Sequence, residues 1–114
     1  MVQIFGTKKH PDTRKALRFF AERRIQVHFV DLQERAASPG ELRRFAQKCC
    51  VGRLVDRSSK RFLDLGLARA QLSDERWLEK LAAEPLMLRQ PLARFGNQLT
   101  IGLADAEWKV WAGR

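Results

Sequence analysis

Two short stretches hold the side chains best suited to chemistry: His10-Pro11-Asp12-Thr13 and the adjacent pair Cys49-Cys50. An imidazole such as His10 can serve as a general base or a metal ligand. No second histidine, cysteine or carboxylate pair stands at ligand spacing beside it, so the residue reads as a solvated loop histidine and no metal is expected. His28, between Val27 and Phe29, reads as a packed or surface strand residue. Cys49 and Cys50 are the only thiols, and neighbouring residues can pair only through a strained ring. A disulfide-stapled secreted fold is therefore excluded, and a structural zinc site lacks ligands. At the end of a helix the dipole disfavours a thiolate, while Lys48 and Arg53 favour one. Structural cysteines are the expectation, and reactive thiols at Cys49 or Cys50 are the alternative.

The charge balance says what such groups would meet. The 114 residues carry 22 Lys plus Arg against 13 Asp plus Glu, a formal charge of +9. Lys8, Lys9, Arg14, Lys15, Arg18, Arg23 and Arg24 face only Asp12 and Glu22 in the first segment, and from Arg43 to Arg61 the only acid is Asp56. A nucleic acid, an acidic protein surface or an oxyanion could use such a field, whereas the plainer reading is a solvated basic surface. Lys8, Lys9, Arg14, Arg57 and Arg89 are the candidate anion or partner contacts. No helix-turn-helix spacing, aromatic RNP pattern or zinc finger is present, so nucleic-acid binding is expected to be non-specific and salt-sensitive. A 45% hydrophobic and 31% charged composition argues against disorder. No apolar run reaches the ~20 residues of a membrane helix, and Met1 to Phe5 leads into Lys8 and Lys9 without an apolar leader, which predicts a cytoplasmic protein without membrane contact.

The elements that must position these groups follow from the hydrophobic pattern. Val2 to Phe5, ending at Gly6, reads as a buried strand. Pro11 suits a helix start, and Ala16, Leu17, Phe20 and Ala21 recur at helical spacing to about residue 24. Ile25 to Asp31 is β-branched and reads as a second strand, joined to the first by a right-handed parallel crossover. Ser38-Pro39-Gly40-Glu41 is a capping-box pattern opening a helix to about Cys50. Ser58 or Ser59 opens a shorter helical stretch ending at Gly66, and Ser73 opens another that Pro85 closes. Beyond Pro85 come Leu86-Met87-Leu88, then two short runs, 91–95 and 98–102, about Gly96-Asn97. That is a hairpin signature in which both turn residues supply positive φ. Ala104 to Glu107 opens a terminal helix whose Trp108 and Trp111 read as core or edge anchors. The order β-α-β, helices, β-β-α describes one α/β domain, 1–114, with halves at 1–34 and 85–114 and a helical insertion at 35–84.

This is the thioredoxin/glutaredoxin-like order, and three stretches make the match more specific. Met1 to His10 with Asp12-Thr13-Arg14-Lys15-Ala16, then Leu54 to Leu67, then Glu84 to Pro91 with Leu99-Thr100-Ile101-Gly102 resemble the arsenate reductase (ArsC-type) family, including its Spx and YffB branches. The resemblance implies a nucleophilic cysteine at the end of the first loop, or a Cys-x-x-Cys pair in Spx-type members. The matching positions here are His10 and Thr13, and neither an imidazole nor a hydroxyl supplies the lowered-pKa thiolate of such a reaction. The family's anion-binding basic residues match Ser58, Gln90 and Gln98. Arg57 and Arg89 each stand one residue away, on the opposite face if the segment is a strand. Pro91 matches the cis-proline that faces the active-site loop, so His10, Pro11, Thr13, Gln90 and Pro91 mark a vestigial site. The resemblance thus implies a redox-inactive binding or regulatory module without a cofactor. Its partner would be acidic, and by likeness to Spx could be RNA polymerase. The alternative is a thiol- or glutathione-dependent reductase using Cys49 or Cys50.

Overall fold

A computed structural model describes residues 1–48 and 50–113. Along the chain the elements are β1 (Val2–Gly6), α1 (Pro11–Glu22), β2 (Val27–Asp31), α2 (Pro39–Lys48), α3 (Lys60–Asp64), α4 (Asp74–Ala83), β3 (Leu92–Phe95), β4 (Gln98–Ile101) and α5 (Asp105–Ala112). Short 3-10 turns occupy Val51–Leu54 and Pro85–Met87. The chain divides into two compact units. The first joins Met1–Asp31 with Gln90–Arg114, and the second is Leu32–Arg89. The division thus falls after Asp31 and before Gln90, a few residues inside the 34/35 and 84/85 boundaries expected from the sequence.

The first unit is built on a four-stranded sheet in the order β2-β1-β3-β4. β1 pairs in parallel with β2 and antiparallel with β3, which pairs antiparallel with β4. Alternation along β1 puts Val2 and Ile4 on one face, where they join Ala16 and Phe20 of α1, Ala93 of β3 and Trp108 of α5 in a fully buried cluster. Trp108 can sit there because its indole N–H donates to the Thr100 hydroxyl at 3.0 Å. Trp111 is half-buried, its ring stacked 6.4 Å from that of Phe20.

α1 ends at Glu22 rather than residue 24, because Arg24 takes a left-handed conformation (φ 58°). Ile25 N–H then donates to Phe20 C=O at 2.9 Å and Arg24 N–H to Ala21 C=O at 3.0 Å, a Schellman closure with arginine in the usual glycine place. That closure consumes Ile25, which is why β2 starts at Val27. In the hairpin only Gly96 (φ 61°) has positive φ, the pattern of a II′ turn, and Asn97 does not.

The second unit is helical. Ser38 and Glu41 exchange hydrogen bonds at the start of α2, Ser38 N–H to the Glu41 carboxylate at 2.9 Å and Glu41 N–H to the Ser38 hydroxyl at 3.1 Å. Ser59 and Ser73 cap α3 and α4 by accepting from the N–H of Phe62 and Arg76. α2 spans Pro39–Lys48, and Cys50, the expected end of the helix, has extended backbone. Leu86 and Met87 form part of a 3-10 turn, and Leu88 makes a single antiparallel bridge to Val55.

Candidate functional site

The antiparallel register of β1 and β3 opposes Phe5 to Leu92. Continued by two residues, it brings Thr7, just past β1, to Gln90, just before β3. Gln90 is 5% exposed, and its peptide bond to the buried Pro91 is cis. The Gln90 side-chain oxygen accepts three hydrogen bonds, from the Thr7 N–H at 2.6 Å, the Thr7 hydroxyl at 3.1 Å and the Thr13 hydroxyl at 3.1 Å. Because a backbone N–H can only donate, the atom facing it must be the amide oxygen, which fixes the orientation of the side chain. Thr7 and Thr13 are themselves buried. A neutral cluster centred on the Gln90 oxygen therefore ties the loop after β1 and the first turn of α1 to the start of β3.

Gly6 makes this approach possible. A Cβ built on it would stand 2.5 Å from the Thr13 hydroxyl oxygen and 2.9 Å from its methyl carbon, so no larger residue fits without displacing the start of α1.

His10 is the N-cap of α1. Its backbone is extended, and its Nδ1 accepts from Asp12 N–H at 3.1 Å while its carbonyl accepts from Arg14 N–H at 3.0 Å. An accepting Nδ1 is unprotonated, so the neutral ring carries its proton on Nε2. Pro11 occupies the first helical position, where its missing N–H costs nothing. The loop is held from the other side by Arg14, whose guanidinium donates to the carbonyls of Lys8 at 3.1 Å and Lys9 at 2.7 Å. Lys8 and Lys9 are exposed, and Asp12 reaches Lys15 only at 3.9 Å.

The other sequence candidates lie in the second unit or at the sheet edge. Ser58 donates both its N–H and its hydroxyl to the Asp56 carboxylate, at 3.0 and 2.7 Å. The Arg57 guanidinium lies 5.5 Å from the centre of the Phe62 ring and 6.0 Å from that of Trp77. Arg89 donates to the Arg53 carbonyl at 3.0 Å. Gln98 opens β4, exposed. Cys50 is exposed ahead of the 3-10 turn, and Cys49 lies outside the described residues. Among the described residues no group of three or more His, Cys, Asp or Glu could hold a metal ion. No described helix is long and apolar enough to cross a membrane.

The second unit also carries an open groove of about 590 Å³ lined by Leu32, Arg35, Arg61, Glu84 and Leu86. Its guanidiniums are already engaged. Arg61 meets Glu84 at 2.6 Å, which holds the Glu84 carboxyl below the usual range and raises Arg61. Arg35 meets Glu41 at 3.2 Å. Sequence reasoning singled out His10, Thr13, Gln90 and Pro91 but missed Thr7 and Gly6. The signal for Thr7 was the strand register, which places the first residue past β1 opposite the residue two before β3.

The ArsC family model matches residues 5–111, nearly the whole chain. The chain belongs to the ArsC family. Solved structures with this fold include a protein described as YffB (TM-score 0.87, 21% identity, 98% of each chain covered). They also include an arsenate reductase from Vibrio cholerae (TM-score 0.78, 23% identity, 89% of this chain and 88% of that one). An arsenate reductase (ArsC) related protein from Brucella melitensis is a further one (TM-score 0.68, 22% identity, 99% and 95%). At these identities the likeness is one of fold. No curated protein matches the chain.

Proposed function

We propose that this ArsC-family protein performs no thiol redox chemistry and acts as a binding or regulatory module for an acidic protein partner, with RNA polymerase as the specific candidate. The observation that carries the reading is the Gln90 cluster. Where an oxyanion reductase needs a thiolate and fixed cations, this chain has His10 as a neutral helix cap and Gln90, a neutral amide, already bonded to Thr7 and Thr13. Stabilising a transferring oxyanion takes donors aimed at developing charge. The three groups here are aimed at one another. His10 Nε2 lacks the sulfur nucleophilicity that reduction of arsenic requires, and the Thr13 hydroxyl is buried and engaged.

The test is arsenate reduction by the purified protein with glutathione or thioredoxin as donor, alongside a Cys49→Ser/Cys50→Ser variant. The expected result is no turnover in either. Turnover in the native protein that disappears in the variant would overturn the proposal and establish a reductase using Cys49 or Cys50. Turnover that survives in the variant would point to glutathione bound without a cysteine from the chain. Titration of the thiols by ultraviolet absorbance adds an independent readout, since a nucleophile titrates well below the unperturbed ~8.5 of a free cysteine.

A further inference from the structure

Four cations of the second unit are held in ion pairs, while others there, Arg44, Arg69 and Arg76 among them, are exposed without a carboxylate partner among the described residues. In the second, Arg35, Arg43, Lys60 and Arg61 are paired with Glu41, Glu75, Asp64 and Glu84 at 2.6 to 3.2 Å. In the first, Lys15 meets Asp12 only at 3.9 Å. Lys8, Lys9 and Arg18 are exposed and have no carboxylate partner among the described residues. They stand along the outer face of α1 and the loop that leads into it, opposite the face that buries Thr13, Ala16 and Phe20. From the cap at His10 to Arg18 the helix axis advances roughly 12 Å, about two turns.

The loop carrying Lys8 and Lys9 is also preorganised. Thr7 is fixed to Gln90, His10 N–H donates to the Thr7 carbonyl at 3.2 Å, and Arg14 draws in both lysine carbonyls. Each bond constrains the backbone and leaves the two ammonium groups outward, which lowers the ordering cost of a partner's binding.

We infer that the ridge of Lys8, Lys9 and Arg18, positioned by Arg14, docks an acidic helical segment of a partner protein. Carboxylates three or four residues apart on a partner helix lie about 5 to 6 Å from one another, so a row of them over two turns spans the ridge. Three unpaired cations beside Asp12 and Glu22 are few for a polyphosphate backbone, which rewards long runs of neutralised charge. The inference rests on the binding role proposed above and names the surface that serves it.

The probe is a fluorescent Ala-rich peptide of roughly 20 residues, long enough to be helical, with glutamates at every fourth position. Its anisotropy is measured with the full chain at about 0.05 M and 0.15 M salt, where screening differs enough to expose the electrostatic part. Reversal of the ridge by Lys8→Glu/Lys9→Glu/Arg18→Glu is expected to weaken binding at least tenfold. The same change in net charge on exposed positions of the second unit, Arg44→Glu/Arg69→Glu/Arg76→Glu, should cost threefold or less. Arg14→Gln, which releases the loop, should weaken binding more than Arg76→Gln. The surface assignment is overturned by equal losses in the two triple variants, by absence of binding at about 0.05 M salt, or by a DNA duplex that outcompetes the peptide on the same ridge. None of those outcomes bears on turnover, so a failed ridge and a failed non-enzymatic reading are told apart by the arsenate assay.

Discussion

Replacing Gln90 by leucine tests whether the amide holds the site together. The side chain is 5% exposed and its oxygen receives three donors. Leucine keeps a similar volume and removes the acceptor, leaving the Thr7 N–H buried with nothing to donate to. An unsatisfied buried donor costs about 1 to 3 kcal/mol. The two hydroxyls lose about 1 kcal/mol each at most, because they rotate, and Thr13 on a helix can turn to the carbonyl four residues back. The sum spans about 1 to 5 kcal/mol, and relaxation of the hydroxyls places the expected loss at about 2 to 3 kcal/mol. For a chain of this length each 1 kcal/mol moves the melting midpoint by roughly 4 °C, so the variant should melt roughly 8 to 12 °C lower. Amide hydrogen exchange supplies the local readout: Thr7, protected only by Gln90, should exchange much faster while Val2 and Ile4 in the sheet do not. Thr13→Val, combined with Gln90→Leu in a double-mutant cycle, should report a coupling of about 0.5 to 1.5 kcal/mol. A loss under about 0.5 kcal/mol with Thr7 still protected would refute the cluster as described.

Four further outcomes follow from the geometry. Gly6→Ala should destabilise by about 1 to 3 kcal/mol through overpacking against Thr13, and Thr13→Ala in the same chain should restore part of it because the 2.5 and 2.9 Å contacts vanish, both read in urea unfolding. Arg24→Gly should stabilise by about 0.5 to 1 kcal/mol, since a residue with φ 58° strains arginine and not glycine; an unchanged urea midpoint would count against the Schellman closure. His10→Cys should place a thiol at the α1 cap that titrates below ~8.5, seen by absorbance against pH, while arsenate turnover stays negligible because Gln90 is no cation. At Glu41, partial burial raises the carboxyl pKa but the hydrogen bond and charge of Arg35 and the Ser38 N–H outweigh it and leave it lowered. Its contribution is then present above the unfolded value and lost as pH falls through the folded one, so Glu41→Gln should flatten the acid limb of stability, measured by urea midpoints between about pH 5 and 3.

Much of the architecture was legible because it is written in local rules. The Ser38–Glu41 box and the Ser73 cap are each decided by a few adjacent residues and appear at the expected positions; of Ser58 and Ser59 it is Ser59 that caps α3, and the hairpin turn falls at Gly96-Asn97 as expected but with positive φ at Gly96 alone. The errors have equally local causes. Arg24 shortened α1 because arginine gives no sign of adopting positive φ, and Asn97 keeps negative φ because a II′ turn needs positive φ at its first central residue alone. Thr7 and Gly6 were invisible for a different reason. The role of Thr7 depends on a partner 83 residues away along the chain, and threonine after a strand carries no mark of the acceptor it will meet; that of Gly6 depends on how closely the strand end passes Thr13.

That long pairing also explains how a site can keep its frame while its chemical groups change. The register of β1 against β3, the cis bond before Pro91 and the close pass of Gly6 by Thr13 are set by backbone geometry and depend on no ionised group. A side chain at position 90 is delivered to the end of β1 whatever its type. A guanidinium there would bring only donors to the Thr7 N–H and would need an anion between them. The amide oxygen of Gln90 meets that N–H directly and needs no bridging anion. Glutamine at position 90 therefore supplies the acceptor that the loop needs with a neutral group, and Lys8, Lys9 and Arg18 stand exposed on the outer surface, where a partner can reach them.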